Sequence, residues 1–110
     1  MITRTNITNS KVYVLQESMG KNLLPATAFG RVIVCLPPTL QITFESDTVI
    51  NSLIDKLSNF NKDTDYLLLM GDPAIIAIAS IIIAKITDYE FTILKWDRQE
   101  HSYIAIKVEL

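Results

Sequence analysis

Asp72 and Asp97 are the carboxylates whose placement in this chain could do chemistry. Each follows a strand-like stretch, the apolar run Tyr66 to Met70 before Asp72 and Phe91 to Trp96 before Asp97. If both stretches are parallel strands, their carboxyl ends lie on one edge of a sheet, the edge at which open α/β sheets bind ligands. Arg98, Glu100 and His101 then stand in the adjoining turn. Two carboxylates and an imidazole are a donor set for Mg²⁺ or Mn²⁺, and such an ion serves phosphoryl transfer or helps hold a nucleotide. Asp72, Asp97 and His101 are thus the candidate catalytic residues, and Asp72 and Asp97 the candidate metal ligands. Simpler roles compete with these. In Asp72-Pro73 the Asp is a preferred helix N-cap and the Pro a preferred first helical residue, and a turn after Trp96 is charged whatever its role. As a cap, Asp72 also places negative charge where a helix N-terminus would otherwise attract an anion. Position in a fold does not by itself make a catalyst, so the residues favour binding over catalysis and imply no cofactor.

The residues suited to binding are Lys21, Asn22, Trp96, Arg98 and Tyr103. Lys21 and Asn22 belong to the connection from Ser18 to Gly30, where turn formers (Gly20, Asn22, Pro25, Gly30) alternate with apolar Leu23, Leu24 and Phe29. That mixture predicts an ordered loop that packs on the body through Leu23, Leu24 and Phe29 and presents Lys21 and Asn22 near a strand end. Gly20-Lys21 is not a phosphate loop, because that motif needs glycine at the position of Leu15 and Ser or Thr at that of Asn22. Trp96, Tyr103 and Tyr89 offer aromatic surface, with Arg98 a cation beside it. Aromatics of this kind often pair across a hairpin for packing alone. With few basic residues near them, a base-stacking platform is disfavoured and a protein partner fits better.

The elements that must position these residues follow from pattern. Val12 to Leu15 and Arg31 to Leu36 read as strands by composition, the second stopped by Pro37-Pro38. Leu40, Ile42 and Phe44 alternate with Gln41 and Thr43, which predicts a short edge strand. Ser46-Asp47-Thr48 supplies N-caps for an amphipathic helix carrying Val49, Ile50, Leu53, Ile54 and Leu57, and Asn59 to Asp65 is a polar turn. The Tyr66 strand, the helix from Pro73 to Ile86 and the Phe91 strand form a β-α-β unit with a right-handed crossover. Ser102 to Leu110 alternates apolar and polar residues and closes an antiparallel hairpin. The fold class is α/β: a small mixed β-sheet with two helices, one right-handed β-α-β crossover and a C-terminal antiparallel hairpin. Residues 1–10, polar and without periodicity, read as a flexible arm, and 11–110 as a single domain.

Composition narrows the function classes. The chain has 110 residues, 49% of them hydrophobic and 20% charged, with a net charge of -2. That balance argues against nucleic-acid binding, which needs a basic face. The lone cysteine, Cys35, sits in an apolar run, which excludes an intramolecular disulfide and fits a small core side chain in a reducing compartment. No apolar segment of signal-peptide type opens the chain, in keeping with a cytoplasmic protein. The helix from Pro73 is apolar around most of its circumference, yet its uninterrupted run falls short of the about 20 residues of a membrane span. Coverage by a second copy of the chain, through this helix or the sheet edge, predicts a homo-oligomer.

Gln16-Glu17, Gly20, Asn22 to Ala26, Phe29-Gly30, Leu36-Pro37-Pro38, Tyr66 to Leu69, Gly71 to Ala74 and Leu94 to Glu100 with Tyr103 resemble a family of small proteins of tailed bacteriophages, marine and cyanobacterial phages among them. The resemblance spans nearly the whole chain from Lys11, although isoleucines follow Asp72-Pro73 where the family has alanine and glycine. It implies a protein at work in the cytoplasm of an infected bacterium and supplies no activity. A phage origin favours a small accessory protein that acts by binding a host or phage protein.

Overall fold

The computed structural model describes residues 9–18 and 20–110. Its elements are β1 (Lys11–Gln16), a 3-10 helix (Leu24–Ala28), β2 (Arg31–Leu36), α1 (Ser46–Leu57), β3 (Tyr66–Leu68), α2 (Pro73–Ile86), β4 (Glu90–Asp97) and β5 (Ser102–Glu109). The strands form one mixed sheet in the order β2-β1-β3-β4-β5, parallel from β2 to β4, with β5 antiparallel to β4. This is the class read from the sequence, with three parallel crossovers where one was expected. The step from β1 to β2 goes one way across the sheet, beneath the loop and 3-10 helix. The steps from β2 to β3 and from β3 to β4 go the other way, beneath α1 and α2. Opposite steps over opposite faces have the same hand, and strand twist favours the right-handed one.

The two faces carry separate cores. Tyr13, Leu15 and Leu67 pack beneath Val49, Leu53 and Leu57 of α1 and Ile75, Ala79 and Ile83 of α2. Val12, Val14, Leu68 and Leu94 pack on the other face with Ala26, Met70 and Tyr103. Each fully buried Val, Leu or Ile contributes about 1.5–3 kcal/mol, so these two layers hold the sheet.

α2 begins where Asp72-Pro73 places it: the Asp72 carboxylate accepts the Ala74 N–H at 2.8 Å. Its isoleucines are better covered than composition suggests, because α1 lies along its flank. Ile75 and Ile83 are buried, Ile76, Ile78 and Ile82 are half-buried against the same core, and Ile81 and Ile86 stay exposed. No helix among the described residues is long and apolar enough to cross a membrane.

Three local expectations are corrected. Leu40 to Phe44 is not a strand but a pair of turns, closed by Leu40 N–H to the Pro37 carbonyl and Phe44 N–H to the Gln41 carbonyl. The Gln16 side chain donates to the Pro37 and Leu40 carbonyls at 2.8 and 2.7 Å, folding the segment over the end of β1, and Phe44 points to solvent. The first residue of α1 is Ser46, so Glu45 rather than Ser46, Asp47 or Thr48 takes the cap position, with its carboxylate turned to the Gln41 N–H. In the loop, Leu23 and Phe29 do anchor, but Leu24 is 70% exposed and Ala26 is buried in its place. The 3-10 helix explains this: three residues per turn put Leu23, Ala26 and Phe29 on one face.

The predicted arm lies, for residues 1–8, outside the described residues. Ser10 is part of the fold: it is buried, and its carbonyl accepts the Arg31 N–H at 3.0 Å. Asp65, at the end of the polar turn, is 1% exposed. Its carboxylate accepts the Lys11 N–H at 3.0 Å, the Asn61 N–H at 2.9 Å and the Thr64 hydroxyl at 3.1 Å, with the Lys11 ammonium 3.8 Å away. One side chain thus ties the start of β1 to the turn before β3.

Candidate functional site

β1 sends the chain to one face of the sheet and β3, beside it, sends the chain to the other. A crevice opens between such strands at their carboxyl ends, and open α/β sheets place ligands there. Here the crevice is a cavity of about 580 Å³, within the range of cavities that hold small ligands or side chains. Leu69, Met70 and Gly71, just past β3, line it together with Trp96 of β4 and Tyr103 of β5. The loop after β1 supplies Ser18, Gly20, Lys21, Asn22 and Pro25.

The aromatic pair is set by the hairpin. Trp96 stands directly opposite Tyr103 in the β4–β5 ladder, and the rings meet edge to face with centroids 5.0 Å apart and planes at 72°. Tyr103 is buried, and burial raises the pKa of its hydroxyl, so the phenol is neutral at ordinary pH. Trp96 is 38% exposed. On the loop side, the Lys21 N–H donates to the Ser18 carbonyl at 3.1 Å and the Asn22 side-chain oxygen accepts the Leu24 N–H at 2.9 Å. These bonds hold the turn that leads into the 3-10 helix, while Gly20 at φ 82° and Gly71 at φ 123° take backbone conformations that side chains disfavour. Among the described residues Lys21 makes no ion pair.

Lys21, Asn22, Trp96 and Tyr103, drawn from two distant parts of the sequence, therefore line one cavity. Arg98 does not line it; it stands in the exposed turn that joins β4 to β5. Neither do the acidic candidates. Asp72 caps α2 and borders a separate hollow of about 190 Å³ with Gln16 and Ile42. Asp97 accepts the Gln99 N–H at 3.3 Å within its own turn, and His101 is exposed there at φ 52°. Among the described residues no group of three His, Cys, Asp or Glu side chains is arranged to hold a metal ion. Cys35 is buried on the helix side, and burial pushes its thiol up to about 11 against the opposing pull of the Lys56 ammonium. It is protonated and unreactive at neutral pH.

Sequence reasoning did not single out Ser18, Pro25, Leu69, Met70 or Gly71 as site residues. Only Gly71 left a usable sign, since a glycine directly after the apolar run Tyr66 to Met70 marks a place where the backbone must turn sharply. The lining offers groups suited to binding rather than to catalysis: two aromatic rings, a thioether, one cation and an amide, with no carboxylate, imidazole or thiol among the described lining residues.

No curated protein and no solved structure gives a significant match. The family model described as Phage Pam3 gp32-like protein matches residues 10–110, all but the first nine of the 110. The resemblance to phage proteins carried by the loop, the Asp72-Pro73 turn and the final hairpin thus holds over its full span, and the chain belongs to the Phage Pam3 gp32-like family.

Proposed function

We propose that this phage protein is an accessory protein that binds another protein, of phage or host, in the cytoplasm of the infected cell, and that it does so at the strand-end cavity. The observation that carries this reading is the convergence of Trp96, Tyr103, Lys21 and Asn22 on one cavity of about 580 Å³. Partly exposed aromatic side chains held rigid beside a pocket are the groups that dominate protein interfaces. Arg98, in the turn that begins one residue beyond the strand holding Trp96, is placed to serve as a charged rim. Capture from phage-infected lysate by the tagged protein tests the reading. A specific partner should be retained by the wild type and bound about 30-fold more weakly by Trp96→Ala, the loss expected for a central aromatic anchor. Equal capture by the variant, with its circular dichroism unchanged, would show that the cavity is not the contact.

A second reading, self-association, is favoured by the outer edge of β5, which pairs with no further strand among the described residues. The Leu110 N–H donates to the Tyr89 carbonyl at 3.0 Å. Antiparallel pairing alternates from there, so the backbone groups of Tyr103, Ala105, Lys107 and Glu109 point away from β4. Ile104 and Ile106, exposed on the helix side of the same strand, would be covered if two β5 strands paired about a two-fold axis. Light scattering at micromolar concentration should then give twice the chain mass, reduced to a single chain by Ile106→Lys. A single-chain mass for the wild type would dispose of the dimer.

A further inference from the structure

We infer that the cavity receives a peptide segment of the partner in which an aromatic side chain stands next to a carboxylate. This rests on the reading of the cavity as a protein-binding site and names the chemistry it selects. The apolar part of the lining calls for a ring. Trp96 and Tyr103 already meet edge to face, and the exposed part of Trp96 offers a further ring the same favourable geometry. The thioether of Met70 adds a soft contact at a ring edge.

The polar part of the lining calls for an acceptor. Lys21 has three N–H donors and no ion-pair partner among the described residues. The Asn22 oxygen already accepts the Leu24 N–H, which leaves the two donors of its NH₂ group as the freer part of that side chain. A rim of donors with a single positive charge matches a group that only accepts and carries one negative charge, which is a carboxylate. A phosphate fits less well: among the described lining residues there is no arginine to fork onto it, and the single charge of Lys21 does not balance its charge of about two.

Trp96 is the only tryptophan, so its fluorescence and its indole N–H resonance report on this cavity directly. The probe is the peptide N-acetyl-Gly-Phe-Asp-Gly-amide, titrated into the full chain. A saturable change in the Trp96 signals is expected, weakened about tenfold or more when Asn replaces the Asp of the peptide, when Ala replaces its Phe, and in the Lys21→Gln protein. No change at millimolar peptide, or equal binding of the Asn peptide, would overturn the inference. Equal binding of phenylpropionate, which has the ring and the acid without the peptide chain, would overturn the peptide source in favour of a small organic acid. Loss of the Asp preference leaves Trp96-dependent capture of a partner standing, whereas capture indifferent to Trp96→Ala removes both readings.

Discussion

Replacing Asp65 with alanine is expected to cost about 3 kcal/mol and to lower the thermal midpoint by roughly 15 °C. The effect is large because the carboxylate has several partners and no exposure. It accepts the backbone N–H groups of Lys11 and Asn61 and the Thr64 hydroxyl from a site 1% open to solvent. Alanine leaves two backbone donors without an acceptor at the point where β1 enters the sheet, and each such loss costs about 1–3 kcal/mol. The Thr64 hydroxyl can rotate toward water and loses less. Asp65→Asn keeps an acceptor oxygen and removes the attraction of the Lys11 ammonium 3.8 Å away, so it should fall between the two. Scanning calorimetry of the three proteins decides the matter: a midpoint for Asp65→Ala within roughly 3 °C of the wild type would mean that water replaces the carboxylate at little cost.

Gly30→Ala is expected to destabilise the fold by about 2–3 kcal/mol, through crowding rather than through a lost bond. A Cβ there would lie 2.6 Å from the Ser10 carbonyl oxygen and 2.7 Å from its carbon. Both are backbone atoms, and the same carbonyl accepts the Arg31 N–H at 3.0 Å. Relief requires moving β2 away from the start of β1. Gly20→Ala is the matched control, since among the described residues nothing lies within 4 Å of its Cβ, and the positive φ of 82° opposes it. About 1 kcal/mol is expected there, the ordinary penalty for a left-handed conformation. Urea unfolding of the two variants should rank Gly30→Ala clearly below Gly20→Ala, and the reverse order would refute the steric account.

How far such features can be read from sequence depends on whether the signal is local. The start of α2 was legible because Asp72-Pro73 states it in two residues, and the hairpin was legible because Ile104, Ile106 and Val108 alternate with Ala105 and Lys107. The same alternation misleads at Leu40, Ile42 and Phe44. Period two in a short segment does not distinguish a strand from turns whose course is set by the Gln16 side chain. Asp65 was passed over because a buried clamp and a solvated turn have the same composition. Leu24 and Ala26 exchange places because a 3-10 helix has a period that neither the strand nor the α-helix template contains. At the candidate site, Lys21 and Asn22 were drawn from the loop, and Trp96 and Tyr103 from the hairpin, by unrelated arguments. Their meeting depends on β3 lying between β1 and β4, which no short stretch of sequence encodes.

β1 and β3, at whose carboxyl ends this site opens, are apolar on both sides, and that has a consequence for how they align. Val12, Val14 and Leu68 face one core while Tyr13, Leu15 and Leu67 face the other. Sliding such a strand by one residue exchanges one apolar face for another, so burial exacts little penalty for the error, unlike a half-exposed strand whose polar face would be driven inside. The observed alignment pairs Lys11 with Arg31 and Val12 with Tyr66. Polar and steric features at the amino-terminal ends select it: Asp65 accepts only from Lys11 among the β1 backbone donors, the Ser10 carbonyl receives the Arg31 N–H, and Gly30 leaves room for that carbonyl. The apolar residues supply most of the stabilisation yet are nearly indifferent to which of several alignments they stabilise. A carboxylate, a carbonyl and a missing side chain make the choice.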